Sequence, residues 1–359
     1  MTHDLFPSSW LITGGAGFIG CNLIKRLLAV GVPYIRVLDN LSVGSREDLR
    51  RVCTFTELES PSPLAPSALA SDAASSLLTP DSSLVHLIVA DIRDPAACLR
   101  AAREVDVIVH LAANTGVAPS VENPRLDMES NVIGTFNMLE AARENSTKRF
   151  IFASSGAPVG ECEPPIHEEL APHPVSPYGA SKLAGEGYCS AYYRTFGVET
   201  VCLRFGNVYG PLSSHKSSVI AKFIRQALAG EVSEIYGEGN QTRDFIYVDD
   251  LVDSIVRAAT LLPTNAGVNS SLPVAGEILQ IASNEEHTVN ELADIIRRQL
   301  LEKVDLKMLT AQTSPRVGDV RRNYSDTSKA LRVLDWKTKV GLGEGISRTI
   351  AWFLECKGV

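Results

Sequence analysis

The clearest indication of the fold is the stretch Trp10-Leu11-Ile12-Thr13-Gly14-Gly15-Ala16-Gly17-Phe18-Ile19-Gly20, near the start of the chain. Its first four residues are apolar or β-branched and predict a buried strand, whereas the apolar spacing after Phe18 predicts a helix to Ala29. Gly14, Gly17 and Gly20 permit a tight turn between these elements and a close approach of the backbone to a pyrophosphate. The start of the helix would offer unpaired N–H groups to the phosphates. For this stretch alone, a glycine-rich turn without a ligand is the alternative.

The second predicted strand indicates which dinucleotide would bind. This strand, Tyr34–Leu38, leads to Asp39, which stands 19 residues after Gly20. A carboxylate at that place binds both ribose hydroxyls of NAD and repels the 2′-phosphate of NADP, so the sequence predicts NAD as the cofactor. Further candidate contacts to NAD are Phe18, Ile19, Asn40, Ser42, Asp91, Ile92, Leu111, Ala112, Ala113 and Asn131. For Asn131, a surface or helix-packing amide is the alternative.

Composition excludes several classes of protein. The chain has 359 residues, of which 45% are hydrophobic and 21% charged, as in soluble globular proteins. Its net charge of −8 argues against binding to nucleic acid or to a membrane surface. We see neither a secretory leader pattern nor the run of about 20 apolar residues that spans a bilayer. The seven scattered cysteines form no CxxC pair, which indicates no disulfide framework and no metal site and fits a reducing cytoplasm.

Short apolar runs alternate with helical patterns through the first half of the chain. This alternation predicts an α/β fold, a doubly wound parallel Rossmann sheet, with a smaller C-terminal substrate-binding lobe. We assign residues 1–204 and returning segments at about 236–284 to the NAD-binding domain. Residues 205–235 and 285–359 would form the lobe. The stretch 59–83, rich in Ser, Ala and Pro, is expected to be an insertion inside the first domain, beside the adenine end of the NAD site.

A candidate catalytic group follows the predicted strand Arg149–Ala153. Tyr178 and Lys182 are four residues apart and share one face of a predicted helix. An ammonium and the positive nicotinamide favour the phenolate, so Tyr178 could remove a hydroxyl proton while hydride leaves the adjacent carbon. Ser155 could hydrogen-bond the reacting oxygen, because ligands lie at the carboxyl ends of parallel strands. The alternatives are a serine that caps the turn and an incidental Tyr–Lys pair.

Taken in order, these motifs resemble those of the extended short-chain dehydrogenase/reductases, and among them most closely the UDP-glucose 4-epimerase group. The resemblance implies that Ser155, Tyr178 and Lys182 are the catalytic triad and that Tyr178 and Lys182 also contact NAD. It extends from about Trp10 to Phe353, apart from residues 59–83. The motifs that carry it are GGAGFIG, DNLSVG, DIRD, HLAA, SPYGASKLAGE, LRFGNVYGP, QTRDFIYVDDL and PRVGDVRRNYSD.

The resemblance also implies a set of residues that bind a UDP-sugar or another nucleotide-diphosphate sugar. Asn207, Arg243, Arg316 and Asp319 match positions that hold the diphosphate and the nucleotide ribose, and guanidinium groups suit that role. A surface ion pair is the alternative for either arginine. Asn323 matches a position that gates the sugar pocket. Because asparagine is smaller than the tyrosine that excludes 2-acetamido sugars, we expect UDP-N-acetylhexosamines to fit.

Departures from the family pattern bear on the reaction. Gly156 and Ala157 stand where 4,6-dehydratases carry the Asp and Glu that move protons in water elimination. Ala157 counts against the related decarboxylases as well. Pro158 replaces a usual valine beside the site, and Cys162 is either a functional thiol or an ordinary loop cysteine.

The resemblance therefore implies C4 epimerisation of a UDP-hexose, a UDP-N-acetylhexosamine or a UDP-uronate through a transient 4-keto sugar. The alternatives are a dehydratase, decarboxylase or reductase of the same family, or a non-catalytic NAD-binding protein. Helices at Met128–Glu144 and Pro177–Phe196 resemble those of the family's dimer contact, so a homodimer is expected.

Overall fold

The structure is a computed structural model, and it describes residues 6–58, 84–214, 216, 218–261, 273–314 and 321–358. The predicted insertion at 59–83 and the candidate site residues Arg316 and Asp319 lie outside the described residues. Within the described part of the chain, no helix is long and apolar enough to cross a membrane.

Strands and helices alternate through the first half of the chain. The strands are β1 Ser9–Thr13, β2 Tyr34–Asp39, β3 Thr56–Leu58, β4 Val85–Val89, β5 Val107–His110, β6 Arg149–Ser155, β7 Glu199–Phe205, β8 Asn207–Tyr209, β9 Val232–Tyr236, β10 Thr242–Arg243, β11 Phe245–Tyr247, β12 Ile278–Ile281, β13 His287–Thr288 and β14 Leu309–Thr313. The helices are α1 Phe18–Ala29, α2 Arg46–Arg50, α3 Pro95–Ala101, α4 Val117–Glu122, α5 Pro124–Met128, α6 Gly134–Glu144, α7 Pro177–Phe196, α8 Val219–Leu228, α9 Val248–Thr260, α10 Val289–Val304, α11 Ser328–Leu334 and α12 Leu342–Lys357.

Eight strands form one sheet in the order β12-β7-β6-β5-β1-β2-β4-β3, and every neighbouring pair is parallel. The prediction of a doubly wound parallel Rossmann sheet is therefore confirmed. Thr13, at the end of β1, lies opposite Leu38 of β2 and His110 of β5. The strands that follow β1 first extend the sheet on one side of it, through β2, and later on the other side, through β5. Ligands bind outside the carboxyl ends of the strands at such a reversal of strand order.

Each face of this sheet has its own hydrophobic cluster. Trp10 and Ile12 of β1 lie on one face with α1 and α9, whereas Leu11 lies on the other with α3, α6 and α7. This alternation explains why the strands read as continuous apolar runs, since parallel strands are covered on both faces. The result is a rigid platform beneath the carboxyl ends of β1, β2, β5 and β6.

A second, smaller core lies in the later part of the chain. It is formed by α8, α10 and α12, together with buried residues of β8, β9 and β11. Three two-stranded sheets in this part of the chain pair β8 with β11, β10 with β13 and β9 with β14. Ala330, Val333 and Leu334 of α11, and Trp336 after it, pack instead with the cluster of α1 and α9. These residues therefore lie with the large sheet, although we expected all of 285–359 to belong to the lobe.

The helix predicted to begin at Met128 differs in its start and in its geometry. The helical segment begins earlier, at Pro124 of α5, and Asn123 caps it by accepting a hydrogen bond from the Leu126 N–H at 3.0 Å. It widens into a π turn over Glu129–Ile133 before α6 continues to Glu144. Such turns occur often at functional sites, and this one places Asn131 in the interior.

Candidate active site

The glycine turn lies between β2 and β5 and leads directly into α1. The Gly14 N–H donates to the Leu38 carbonyl at 2.8 Å, and Gly14 has φ of +69°. A Cβ at Gly14 would lie 2.8 Å from the Ala112 nitrogen, so the turn needs glycine there. No side chain caps α1 at Gly17, which leaves N–H groups of the first turn for phosphate oxygens. This geometry fits the pyrophosphate of a dinucleotide.

Asp39 ends β2 beside the glycine turn and is only 8% exposed. Its two oxygens accept hydrogen bonds from the Ala16 N–H at 3.0 Å and the Leu41 N–H at 2.8 Å. Burial raises the pKa of Asp39, and these two hydrogen bonds oppose the increase. Each carboxylate oxygen keeps a further lone pair, so the group can accept from ribose hydroxyls. The free acceptor positions of Asp39 therefore fit the ribose hydroxyls of NAD.

Asn40, Ser42 and Asp91 form a small polar group next to Asp39. Asn40 donates to Asp91 Oδ2 at 2.9 Å, and its own Oδ1 accepts from the Ser42 N–H at 3.1 Å. Arg93 also binds Asp91 and, with the other hydrogen bonds, lowers the pKa of Asp91 to about 2. Asp91 is thus a charged acceptor at neutral pH.

The remaining candidate contacts lie on the segments that follow β1, β4 and β5. The Ala112 N–H donates to Thr13 Oγ1 at 3.2 Å, which holds the Leu111-Ala112-Ala113 segment against the glycine turn. Ile92 packs against the start of α6, since a Cβ at Gly134 would lie 2.5 Å from Ile92 Cδ1. Phe18 and Ile19, in the first turn of α1, are half-buried.

Asn131 is 1% exposed, and protein groups occupy its amide. Its Oδ1 accepts from the Asn114 N–H at 2.7 Å, and its Nδ2 lies within hydrogen-bonding distance of the Asn114 carbonyl, Asp127 and Ser181. This is the helix-packing role that sequence reasoning gave as the alternative. Asn131 therefore fixes the segment after β5 and the helix α7 relative to each other.

Ser155, Tyr178 and Lys182 meet at the carboxyl end of β6. The Lys182 ammonium is 4% exposed, donates to the Ala153 carbonyl at 2.9 Å, and lies 5.9 Å from the centre of the Tyr178 ring. Burial raises the pKa of Tyr178 to about 12, and a hydrogen bond with the Ser155 hydroxyl opposes that increase. Burial also lowers the pKa of Lys182 to about 8. We expected the ammonium to lower the pKa of Tyr178, but in this structure burial has the larger effect.

The start of α7 fixes the position of the tyrosine. Ser176 caps the helix by accepting from the Gly179 N–H at 3.1 Å, and Pro177 occupies the first turn. A Cβ at Gly179 would lie 2.6 Å from the Ala157 carbonyl oxygen, so the loop after Ser155 packs closely on this turn.

Burial and the charge of Glu163 raise the pKa of the Cys162 thiol, which disfavours the reactive thiolate.

The candidate substrate residues of the described segments come together around Asp244. Asn207 donates through Nδ2 to the Asp244 carbonyl at 3.1 Å, and Arg243 precedes Asp244 in the chain. The segment that carries Asn323 is held beside them, because the Thr242 N–H donates to the Arg321 carbonyl at 3.0 Å. Arg243 and Asn323 are each half-buried.

Asp244 is a residue that the sequence reasoning missed. It is fully buried, and its carboxylate accepts from the N–H groups of Ser283, Asn284 and Ser325 and from the Ser283 hydroxyl. One side chain thus joins the loop after β12, the segment of Asn323 and the strand of Arg243. Its position inside the quoted QTRDF motif was a signal, but its partners lie far away in the chain.

The fold and this site define an NAD-dependent enzyme of the short-chain dehydrogenase/reductase type. Residues 10–269 match the model of the NAD dependent epimerase/dehydratase family. The chain is 36% identical over 347 residues to a putative UDP-glucose 4-epimerase of Methanocaldococcus jannaschii, covering 95% of this chain and 97% of the relative. It is 34% identical to a UDP-glucose 4-epimerase of Mycolicibacterium smegmatis, covering 96% and 97%.

Solved structures agree with these relatives. A UDP-glucose 4-epimerase of Thermotoga maritima, solved with UDP-glucose, superposes with a TM-score of 0.79 at 31% identity, covering 97% of this chain and 99% of that one. The chain belongs to the NAD-dependent epimerase/dehydratase family. Its similarity to these epimerases supports an enzyme that acts on nucleotide sugars. A dTDP-glucose 4,6-dehydratase and a UDP-glucuronic acid decarboxylase are also similar to it.

Proposed function

We propose that this protein is an NAD-dependent nucleotide-sugar 4-epimerase that inverts C4 of a UDP-hexose, with UDP-N-acetylhexosamines and UDP-uronates as further candidates. The proposal rests on the set of residues at the carboxyl end of β6. There Ser155, Tyr178 and Lys182 converge, and Gly156 and Ala157 follow in place of carboxylates. Epimerisation needs this triad and a firmly held NAD, whereas water elimination needs additional proton carriers.

Each residue of the triad has a separate task. The Ser155 hydroxyl positions the 4-hydroxyl of the sugar, and the Tyr178 phenolate removes its proton. Lys182 holds the nicotinamide ribose and supplies the positive charge that favours the phenolate. NAD supplies, when bound, a reversible acceptor for the C4 hydride. Because burial raises the pKa of the phenol, activation of Tyr178 would draw on the positive charge of bound NAD as well as on that of Lys182.

The cofactor and substrate residues follow from the same geometry. The N–H groups of the first turn of α1 would hold the NAD pyrophosphate, and Asp39 would bind the adenine ribose, with Asn40, Ser42 and Asp91 beside it. Asn207 and Arg243 would hold the substrate diphosphate, and Asn323 would face the sugar. On sequence grounds, Arg316 and Asp319 are proposed to hold the diphosphate and the nucleotide ribose.

The seven cysteines are free thiols, which suits action in the reducing cytoplasm.

Product analysis tests the reaction. We expect proton NMR of incubations with UDP-glucose, UDP-N-acetylglucosamine, UDP-glucuronate and dTDP-glucose to show C4 inversion at unchanged mass. Tyr178→Phe should lower kcat by about 10²-fold or more, since it removes the proton acceptor. Tyr188→Phe, on the same helix and 41% exposed, is the matched control and should keep the activity.

The same panel separates the alternatives. A deoxy 4-keto product would indicate a dehydratase, a pentose product a decarboxylase, and a change in NAD redox state with each turnover a reductase. Absence of turnover with every sugar would favour a non-catalytic NAD-binding protein. Turnover of UDP-glucose without turnover of UDP-N-acetylglucosamine would contradict the role given to Asn323.

We also propose that the protein is a homodimer through α5, α6 and α7. Leu126, Met128, Phe136 and Tyr188 are each between 36% and 41% exposed, although they are large and apolar or aromatic. The rings of Phe136 and Tyr188 lie 5.7 Å apart, so the exposed groups form one patch across α6 and α7. A patch of this kind on a soluble chain commonly marks a protein interface.

A further inference from the structure

Asp127, in the last turn of α5, is a buried carboxylate that the proposed reaction does not use. It is 1% exposed, and its Oδ1 accepts a hydrogen bond from Asn131 Nδ2 at 2.9 Å. Its Oδ2 has no hydrogen-bond partner among the residues that the structure describes. An incompletely bonded carboxylate is costly to bury, and burial raises the pKa of Asp127, whereas the Ser181 hydroxyl and the charge of Lys182 oppose the increase. Such a group persists where another charge or a function compensates.

Hydrogen bonds connect this carboxylate to the first turns of the helix that carries Tyr178. Asn131 Nδ2, which binds Asp127, also lies 3.1 Å from Ser181 Oγ. The Ser181 hydroxyl in turn donates to the Tyr178 carbonyl at 3.0 Å. Asp127 is thus joined, through Asn131 and Ser181, to the first turns of α7, and α5 packs against α7.

The charges that surround Asp127 identify its counter-charge. From α7, Lys182 is a buried cation, and Glu186 is bound by Arg204 at 2.8 Å. From β5, burial and Lys182 lower the pKa of His110 to about 3, so this ring is neutral. The charged residues of the neighbouring helical turns, Glu122, Arg125 and Glu129, lie at the protein surface.

We propose that Asp127 is a positioning residue for the Tyr178–Lys182 pair: its buried carboxylate is the counter-charge that keeps Lys182 an ammonium next to the phenol. This role rests on the proposed function, since it acts through the two catalytic groups. A negative charge favours the protonated form of any neighbour, and Asp127 raises the pKa of both Lys182 and Tyr178. Burial has the larger effect on both groups, and the charge of Asp127 displaces both titrations in the same direction.

Replacement by the isosteric amide tests this proposal. In Asp127→Asn the pKa of Lys182 should fall by about one unit from its value near 8, because the negative charge is lost. Carbon NMR of protein labelled at lysine Cε measures that pKa directly, and Lys182→Met assigns the resonance. The pH profile of kcat/KM should show both limbs displaced to lower pH, since both groups lose the same stabilising charge.

Two controls separate charge from structure. Asp127→Glu keeps the charge and should leave both limbs and the Lys182 pKa in place. Ser120→Ala removes a buried hydroxyl of α4, which donates to the Val117 carbonyl at 2.7 Å, without changing any charge, so it should move neither limb. Asp127→Ser is a second neutral variant, which replaces Asp127→Asn if the amide does not fold.

The outcomes distinguish this proposal from the proposed function. An equal loss of activity at every pH, with the Lys182 resonance titrating as in wild type, would overturn the role of Asp127. A displaced Lys182 titration in a protein that epimerises no sugar would support the role of Asp127 and reject only the 4-epimerase reaction.

Discussion

Gly14 meets two separate physical demands, and a single substitution tests both. Its φ of +69° disfavours any residue with a Cβ, and that Cβ would lie 2.8 Å from the Ala112 nitrogen. Gly14→Ala should lower the free energy of unfolding by about 2–4 kcal/mol, from backbone strain plus overpacking. It should also weaken NAD binding, because the turn must move away from β5. Urea unfolding and calorimetric titration with NAD measure the two effects.

Gly31 provides the matched control for Gly14. It has φ of +81°, but a Cβ there would meet nothing within 4 Å. Gly31→Ala should therefore cost only about 1 kcal/mol and leave NAD affinity unchanged. Equal effects of the two substitutions would show that backbone strain alone, without the contact to Ala112, explains the requirement at Gly14.

The individual residues that sequence reasoning identified are those whose chemistry is local. The glycine spacing, Asp39, and the pair Tyr178 and Lys182 each follow from neighbours within one turn or one strand end. Asp244 was not identified, because its partners come from segments far away in the chain. Asp127 was not identified, because its burial depends on the packing of its helix, although its partner Asn131 is only four residues away. The pKa of Tyr178 could not be foreseen either, since burial depends on the packing of the whole region.

The buried ion pair between α7 and β7 joins three elements at the active site. Arg204 donates to both oxygens of Glu186 at 2.8 Å, and the Ser154 hydroxyl of β6 donates to Glu186 at 2.6 Å. Both charged side chains are at most 3% exposed. Glu186→Gln should lower the free energy of unfolding by about 3–5 kcal/mol, since it leaves a buried guanidinium uncompensated. Chemical denaturation followed by circular dichroism measures this change.

The surface pair of Arg46 and Glu57 is the control for that experiment. Its N–O distance of 2.7 Å is similar, but both side chains are 41% exposed. Glu57→Gln should leave the unfolding transition nearly unchanged, because water and salt screen exposed charges. A loss of stability as large as that of Glu186→Gln would mean that burial is not what gives the α7–β7 pair its importance.

The elements that sequence patterns predicted with the observed bounds are amphipathic helices. The helices Phe18–Ala29 and Pro177–Phe196 have caps or apolar spacing that are visible in the sequence. The small sheets of β8 with β11, β10 with β13 and β9 with β14 were not predicted. Their strands have two to five residues, which is too short for a clear period, and their pairing joins distant segments.

Assembly is a property of the whole molecule, and substitution at the patch on α5–α7 tests it. Phe136→Lys places a charge next to Tyr188, so a dimer formed through this patch should dissociate into monomers. Leu301→Lys, at an exposed position on α10, is the control and should leave the assembly intact. Sedimentation velocity across a range of protein concentrations measures the change. A wild-type chain that stays monomeric at every concentration would reject the dimer.

The parallel sheet could be predicted from alternating strands and helices, but its strand order could not. β12 lies at one edge, paired with β7, although the strands of the smaller core come between them in the chain. Likewise α11 returns to the large sheet after the segments of that core. We assigned the residues of β12 to the NAD-binding domain from the sequence, but neither the pairing of β12 with β7 nor the return of α11 was predicted, because both depend on three-dimensional packing.

The late position of β12 has a consequence for biosynthesis. The ribosome completes β7 at Phe205, together with the glycine turn and the Tyr178 helix, long before Ile278–Ile281 is made. Until then the outer edge of β7 exposes unpaired N–H and C=O groups, which can template pairing with another chain. A nascent chain that has already paired β6 with β7 would therefore expose one open edge of its sheet until β12 is synthesised.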